Sequence, residues 1–303
     1  MKRGWITWDQ TELPRAAFEA RLDALRRHLA DHDLPAAAVY SDVWRSNWAR
    51  HFSNFMPYWN RALLVVPCDA APILLCGLSP RVYPWVRSVT ILDEIRPSPN
   101  LARQLLDLAS EKSWKCLGIL DLAGLPFDLY QQIRGGAVET VDVSLPAGLD
   151  SWALSMYRGA AKMAREGLTE EVARGAGLTD YEFTSRLERK FRRAGAQDLV
   201  ILVTNGQSVP APARGETLGS DFSVALALEY RGHWVKLARS ASARDPFPTR
   251  LHVETLSGSY PYQVSGRLET LAILAIRFES RTEGLRLFHG DTYWSGDQGL
   301  ALL

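Results

Sequence analysis

Cysteine is scarce in this chain. Its three residues, Cys68, Cys76 and Cys116, form an odd set without C-x-x-C spacing, which excludes a disulfide framework and a cysteine-based zinc site. Sparse free thiols fit a reducing compartment. No apolar run reaches the roughly 18 residues needed to cross a bilayer, and Met1 to Trp8 carry charge without the apolar core of a secretion signal. These absences predict a cytoplasmic protein with no membrane association. A charge excess is missing too: 35 Lys and Arg face 34 Asp and Glu, a net +1. That balance gives no electrostatic case for nucleic acid. The sequence also lacks G-x-S-x-G, a P-loop, G-x-G-x-x-G and H-E-x-x-H, so the common nucleophile, nucleotide and zinc-protease signatures are absent.

What remains is an ordinary globular composition of 303 residues, 47% hydrophobic and 23% charged, with length for two domains at roughly 150 residues each. Phe18, Leu22, Leu25 and Leu29 recur at helical spacing after Pro14, which suits a first turn. Apolar runs at 36–40, 63–66, 73–75, 117–120 and 138–143 read as strands, and 101–108 and 127–133 as helices. Alternating strands and helices predict a layered α/β domain. Pro146, Gly148 and Asp150 mark a boundary, giving domains 1–148 and 149–303.

The second half opens with a helix over 152–174, interrupted by Gly159 and Gly167. Another starts at Thr179, whose hydroxyl can cap it while Glu182 reaches back. Phe183, Leu187 and Phe191 line one face, and Gly195 stops the helix. The basic run Arg189, Lys190, Arg192 and Arg193 reads as its solvated face. Strands follow at 199–203, 223–229, 233–237, 271–278 and 285–293, the middle pair forming a hairpin around Tyr230, Arg231 and Gly232. Helices first and an antiparallel sheet after predict an α+β second domain.

With these pieces in order, the chain resembles the creatinase, prolidase and aminopeptidase P group. The first half contributes its leading helix, the strand at 36–40 and the run SNWARHFSNF. The second half contributes GLTDYEFTSRLERKFRRAGAQD and VALALEYRGHWVKLAR, similar to the group's G-x-T-E-x-E helix and its aspartate-bearing hairpin. The resemblance implies an α/β N-terminal creatinase-like domain followed by an α+β, truncated pita-bread domain.

Proteins of that group usually hold two divalent metals through two hairpin aspartates, a histidine and two later glutamates. The metals generate hydroxide from water and polarise the scissile carbonyl. Carried over position by position, the aspartates fall on Ala225 and Lys236, the first glutamate on Arg277 and the second on Gly290 or His289. The histidine loop is missing from the short span between Arg239 and Arg286. A cation beside a dication opposes binding by several kcal/mol. No metal and no cofactor are therefore expected.

Strand parity puts Trp234 beside Lys236 and Ala275 beside Arg277 and Glu279. Lys236, Arg277 and Trp234 are candidates to bind a small carboxylate. The blander alternative, and the preferred one, is internal pairing of the two cations with Glu229 or Glu279, since buried charges need partners. Creatinase works without metal through a histidine just before the hairpin, but the matching stretch, 209–213, has none. His289 beside Asp291 is a weak acid/base candidate; a structural role is favoured for it. His252 has no motif context. In the N-terminal domain, Trp48, His51, Tyr58, Trp59 and Arg61, with Trp44 nearby, could close a partner chain's active site, as in the resembling group, or simply pack internally.

Two functions follow. The preferred one is a non-catalytic subunit, a homodimer or a heterodimer with a longer, metal-bearing paralogue whose active site it helps to form. The other is a metal-independent protein for a small carboxylate or amide; as an enzyme it would be a creatinase-like C–N hydrolase.

Overall fold

Small and β-branched side chains build the centre of the first sheet. Ala36–Ser41 is buried at every position, as is Ala62–Pro67, the pattern of strands covered on both faces. The computed structural model describes residues 7–145, 149–242, 248–256, 272–282 and 284–303. It divides into two compact units, Met1–Pro146 and Ala147–Leu303.

Among the described residues, the first unit runs α1 (Arg15–Ala30), β1 (Ala36–Ser41), α2 (Asn47–Ser53), β2 (Ala62–Pro67), β3 (Ile73–Cys76), α3 (Tyr83–Val89), β4 (Glu94–Pro97), α4 (Leu101–Glu111), β5 (Cys116–Leu120), α5 (Phe127–Arg134) and β6 (Glu139–Val143). Its sheet order is β4-β3-β2-β1-β5-β6. β1 is antiparallel to β2 and parallel to β5. Ala36, Ala38 and Tyr40 pack with Leu105, Leu108 and Ile133 of α4 and α5; alternation along the strand puts this set on one face. The expected α/β layering is present. α2, α3 and β4 were not anticipated, because each is too short to show a period. α2 ends at Asn54, which takes φ 60° and donates from Nδ2 to the Val89 carbonyl at 2.8 Å, tying α2 to α3.

The second unit runs α6 (Ser151–Val172), α7 (Asp180–Arg193), β7 (Asp198–Thr204), β8 (Phe222–Tyr230), β9 (His233–Ala241), β10 (Pro248–Thr255), β11 (Ala272–Thr282), β12 (Leu285–Gly296) and β13 (Gly299–Leu302). The Asp150 carboxylate caps α6 by accepting from the Ala153 N–H at 2.7 Å. The helix passes unbroken through both glycines. At Gly167 a Cβ would lie 2.5 Å from the Phe191 ring, so glycine there admits the close packing of α7. The capping box of α7 forms as expected, Thr179 Oγ1 accepting from the Glu182 N–H and Glu182 Oε2 from the Thr179 N–H. Phe183, Leu187 and Phe191 are all buried, each contributing about 1.5–3 kcal/mol.

The sheet order is β10-β11-β12-β9-β8-β7, with β13 beside β12, and each pairing is antiparallel. The β8–β9 turn is two residues rather than three: Arg231 and Gly232 take φ 51° and 85°, the left-handed pair that matches strand twist, and Tyr230 stays in β8. The sequence did not reveal β10 or β13. The strand expected from position 271 is β11, and Leu271 itself lies outside the described residues.

Candidate functional site

One row of register partners crosses the second sheet. His252 pairs with Arg277, Arg277 with Gly290, Gly290 with Ala238, Ala238 with Ala225, and Ala225 with Leu202. Residues directly opposite one another in a ladder share a face. Two residues along, Glu254 pairs with Ala275 and Ala275 with Thr292; on the far side Lys236 pairs with Ala227 and Ala227 with Val200. Members of both rows line a cavity of about 220 Å3. The opposite face of β8 and β9, with Leu226, Leu228, Val235 and Leu237, is buried in the same core as Ala160, Ala164 and Leu168 of α6.

The cavity joins the four positions to which the resemblance assigns metal ligands: Ala225, Lys236, Arg277 and Gly290. They offer a methyl, an ammonium, a guanidinium and no side chain, hence no oxygen donor for a hard divalent ion. His252 and Glu254 also line the cavity, but Glu254 is ion-paired with Lys236. Among the described residues no group of three or more His, Cys, Asp or Glu gathers as a metal centre. The described residues at these positions do not fit a two-metal site. Gly290 rather than His289 faces the cavity, and no glutamate fits there: a Cβ would stand 2.6 Å from the Ile276 carbonyl oxygen and 2.9 Å from the Arg277 Cα.

The cations behave differently from one another. Lys236 meets Glu254, a partner the sequence did not suggest. The pair reaches over β12 and β11, roughly 14 Å at ordinary strand spacing, and is possible because Ala275 and Thr292 stand low between them. Arg277 is not paired with Glu279. Among the described residues its guanidinium makes no hydrogen bond or ion pair; Nε is buried without a partner, and the group sits 5.8 Å from the Phe288 ring centroid. Glu279 is taken by Arg281 at 2.6 Å and Arg286 at 2.9 Å. Burial raises the Glu279 pKa, yet those two arginines hold it below the ordinary carboxylate value. His252 lies 3.8 Å from Glu279. Burial, then Arg277 and Arg250, push its pKa below the usual imidazole value, with Glu279 pulling the other way.

Other candidates are placed elsewhere. Trp234 is buried opposite Glu229 and is not part of the cavity wall. Asp291 is occupied by Arg239, at 2.9 and 3.1 Å, and by Arg165 of α6, at 3.1 Å, so it does not orient His289. His289 is exposed on β12; surrounding protein and Arg239 lower its pKa against an upward pull from Asp291. The acid/base pairing of His289 with Asp291 is therefore not formed, because two guanidinium groups outcompete one imidazole for the carboxylate. His252 and Glu254, missed in the sequence, take the cavity positions. The only signal for them was the alternation T-R-L-H-V-E-T at 249–255.

In the first unit, Trp48 stacks on Phe52 at 6.1 Å and meets His51 edge-on. Tyr58 packs instead on Trp85, and Arg61 pairs with Asp128 at 2.7 Å. Trp59 is 60% exposed and Trp44 is 64% exposed. Asp42 holds the turn that presents Trp44 by accepting from the Trp44 and Arg45 N–H groups, both at 2.7 Å. Among the described residues, no helix is long and apolar enough to cross a membrane.

No family model and no curated protein matches this sequence. Solved structures do match in shape. An X-Pro aminopeptidase from Thermotoga maritima MSB8 superposes with a TM-score of 0.75 at 12% identity, covering 93% of this chain and 96% of that one. An Xaa-Pro dipeptidase from Bacillus anthracis gives 0.71 at 12%, covering 94% and 97%, and the prolidase from Pyrococcus furiosus gives 0.70 at 13%, covering 93% and 98%. At such identities the likeness is one of fold, and the fold of this chain is the creatinase/prolidase type: an α/β domain followed by a pita-bread sheet domain.

Proposed function

We propose that this chain is a metal-free protein of prolidase fold that binds a small carboxylate in the cavity beside Arg277. One observation carries the reading: the Arg277 guanidinium borders the cavity without a counter-ion among the described residues, while Lys236 next to it is ion-paired with Glu254. A half-buried cation without a partner gains most from an anion that supplies paired acceptor oxygens, and a carboxylate matches the planar guanidinium fork. The same charge disfavours divalent metal, so peptidase chemistry of the two-metal kind is not part of the proposal. The test is calorimetric titration of the purified chain with acetate, alongside Arg277→Met. Saturable binding is expected in the wild type and absent in the variant. Indistinguishable heats from the two proteins would remove the proposal.

The exposure of Trp44 and Trp59 favours a second reading, a non-catalytic subunit that associates with itself or with a longer paralogue. Tryptophan is enriched at association surfaces and among the residues that dominate their binding energy. Light scattering after size exclusion should then report a dimer that Trp44→Ser with Trp59→Ser dissociates. A monomeric wild type together with failure to capture a longer relative from the native source would rule it out.

A further inference from the structure

We infer that the cavity selects a monocarboxylate with a short apolar chain over dicarboxylates and amino acids. This rests on the carboxylate reading above and names the class of ligand.

Charge sets the first limit. Lys236 and Arg277 bring two positive charges and Glu254 removes one. His252 has its pKa pushed down and stays neutral near pH 7. Among the described residues of the wall one net positive charge remains, and one carboxylate satisfies it. A ligand ammonium placed near that carboxylate would face Arg277 at close range, while Glu254, the one acid among the wall's described residues, is already committed to Lys236.

Chemistry of the walls sets the second limit. Away from Arg277 the lining passes to Ala238, Ala225 and Ala227, then to Val200 and Leu202 on β7. These supply neither donors nor cations. A second carboxylate there would lose its water without compensation, whereas methyl and methylene groups gain by leaving water.

Volume sets the third. A cavity of about 220 Å3 lies below the range of drug-sized pockets, about 300–1,000 Å3, and so suits a small acid. The alanines at 225, 227, 238 and 275 are what leave this space open, since longer side chains from the same rows would fill it.

The test is a calorimetric series on the whole chain using acetate, butanoate, 3-methylbutanoate, 4-methylpentanoate, succinate and leucine. Each added methylene should tighten binding about fourfold (~0.8 kcal/mol) until the cavity is filled. Succinate, equal to 4-methylpentanoate in non-hydrogen atoms, should bind at least tenfold more weakly, and so should leucine. Ala225→Leu, which places a side chain in the tail region without altering charge, should abolish the gain with chain length. Acetate binding with no chain-length gain, or succinate matching 4-methylpentanoate, would overturn this inference and leave the carboxylate reading standing. Absence of binding by every acid in the series would overturn both.

Discussion

Gly290→Ala tests whether the metal position has been closed rather than merely mutated. The added Cβ would lie 2.6 Å from the Ile276 carbonyl oxygen, 2.9 Å from the Arg277 Cα and 3.1 Å from the Arg277 Cβ. Comfortable contacts need about 3.5 Å, and two of the three atoms belong to backbone, which cannot swing aside. β11 and β12 would have to part where Arg277 and Gly290 are paired. Such overpacking costs about 1–3 kcal/mol, which lowers Tm by about 2–12 °C for a unit of this size. Gly159→Ala is the matched control. Nothing lies within 4 Å of a Cβ at that exposed helical position, so alanine should add about 0.5–1 kcal/mol. Thermal melts followed by circular dichroism report both. A Gly290→Ala protein that melts with the wild type, while Gly159→Ala rises as expected, would show that β11 and β12 have room for a side chain. With that clash in place, aspartates at 225 and 236 and a glutamate at 277 would still leave the site without its second glutamate and without the histidine.

Asp291→Asn removes the shared counter-ion of Arg239 and Arg165, a group of low exposure, and should cost about 3–5 kcal/mol in urea unfolding; a loss under about 1 kcal/mol would mean the arginines are solvated instead. Carboxylate binding should strengthen as pH falls: a ligand on Arg277 cancels part of the push that depresses His252, so the bound pKa exceeds the free one and binding takes up protons between them. His252→Gln should flatten that dependence, and a slope of opposite sign in the wild type would refute the coupling. Equilibration with Mn2+, Co2+ or Zn2+ followed by desalting and elemental analysis should leave no stoichiometric metal on the chain, whereas one equivalent or more would contradict the reading of the ligand positions.

Legibility in the sequence followed the balance between local and distant causes. The capping box at Thr179 and Glu182 and the apolar stripe of α7 are local, and they were readable. The hairpin was readable from its alternation, but its turn was overcounted by Tyr230 because the left-handed pair needs only Arg231 and Gly232. α2 was hidden because seven residues hold too few turns to show a period, and its end depends on Asn54 reaching Val89. β10 was hidden for a different reason. Its polar residues His252 and Glu254 face the cavity on the side of the sheet away from the α6 core, and Leu251 is exposed, so the segment has little of the apolar content that marks a strand. The Lys236–Glu254 pair spans two intervening strands and has no local signature at all. Arg277 was identified as a cavity cation from its place in a motif, but its lack of a partner among the described residues depends on Glu279 being claimed by Arg281 and Arg286.

The join between β9 and β12 has a consequence of its own. Gly290 and Ala238 are the one registered backbone pair between these strands among the described residues. On either side, hydroxyl groups take the place of ladder bonds: Thr292 Oγ1 accepts from the Lys236 N–H and donates to its carbonyl, while Ser240 Oγ donates to the Phe288 carbonyl. Arg239 adds a bond to the Gly290 carbonyl at 2.7 Å. The seam of the sheet at the floor of the cavity is thus laced by side chains as well as by its backbone pair. Peptide groups cannot be exchanged by substitution, but threonine, serine and arginine can. The gape of this pocket is therefore open to adjustment one residue at a time, and descent from a common scaffold could re-size it for a new guest without rebuilding a strand.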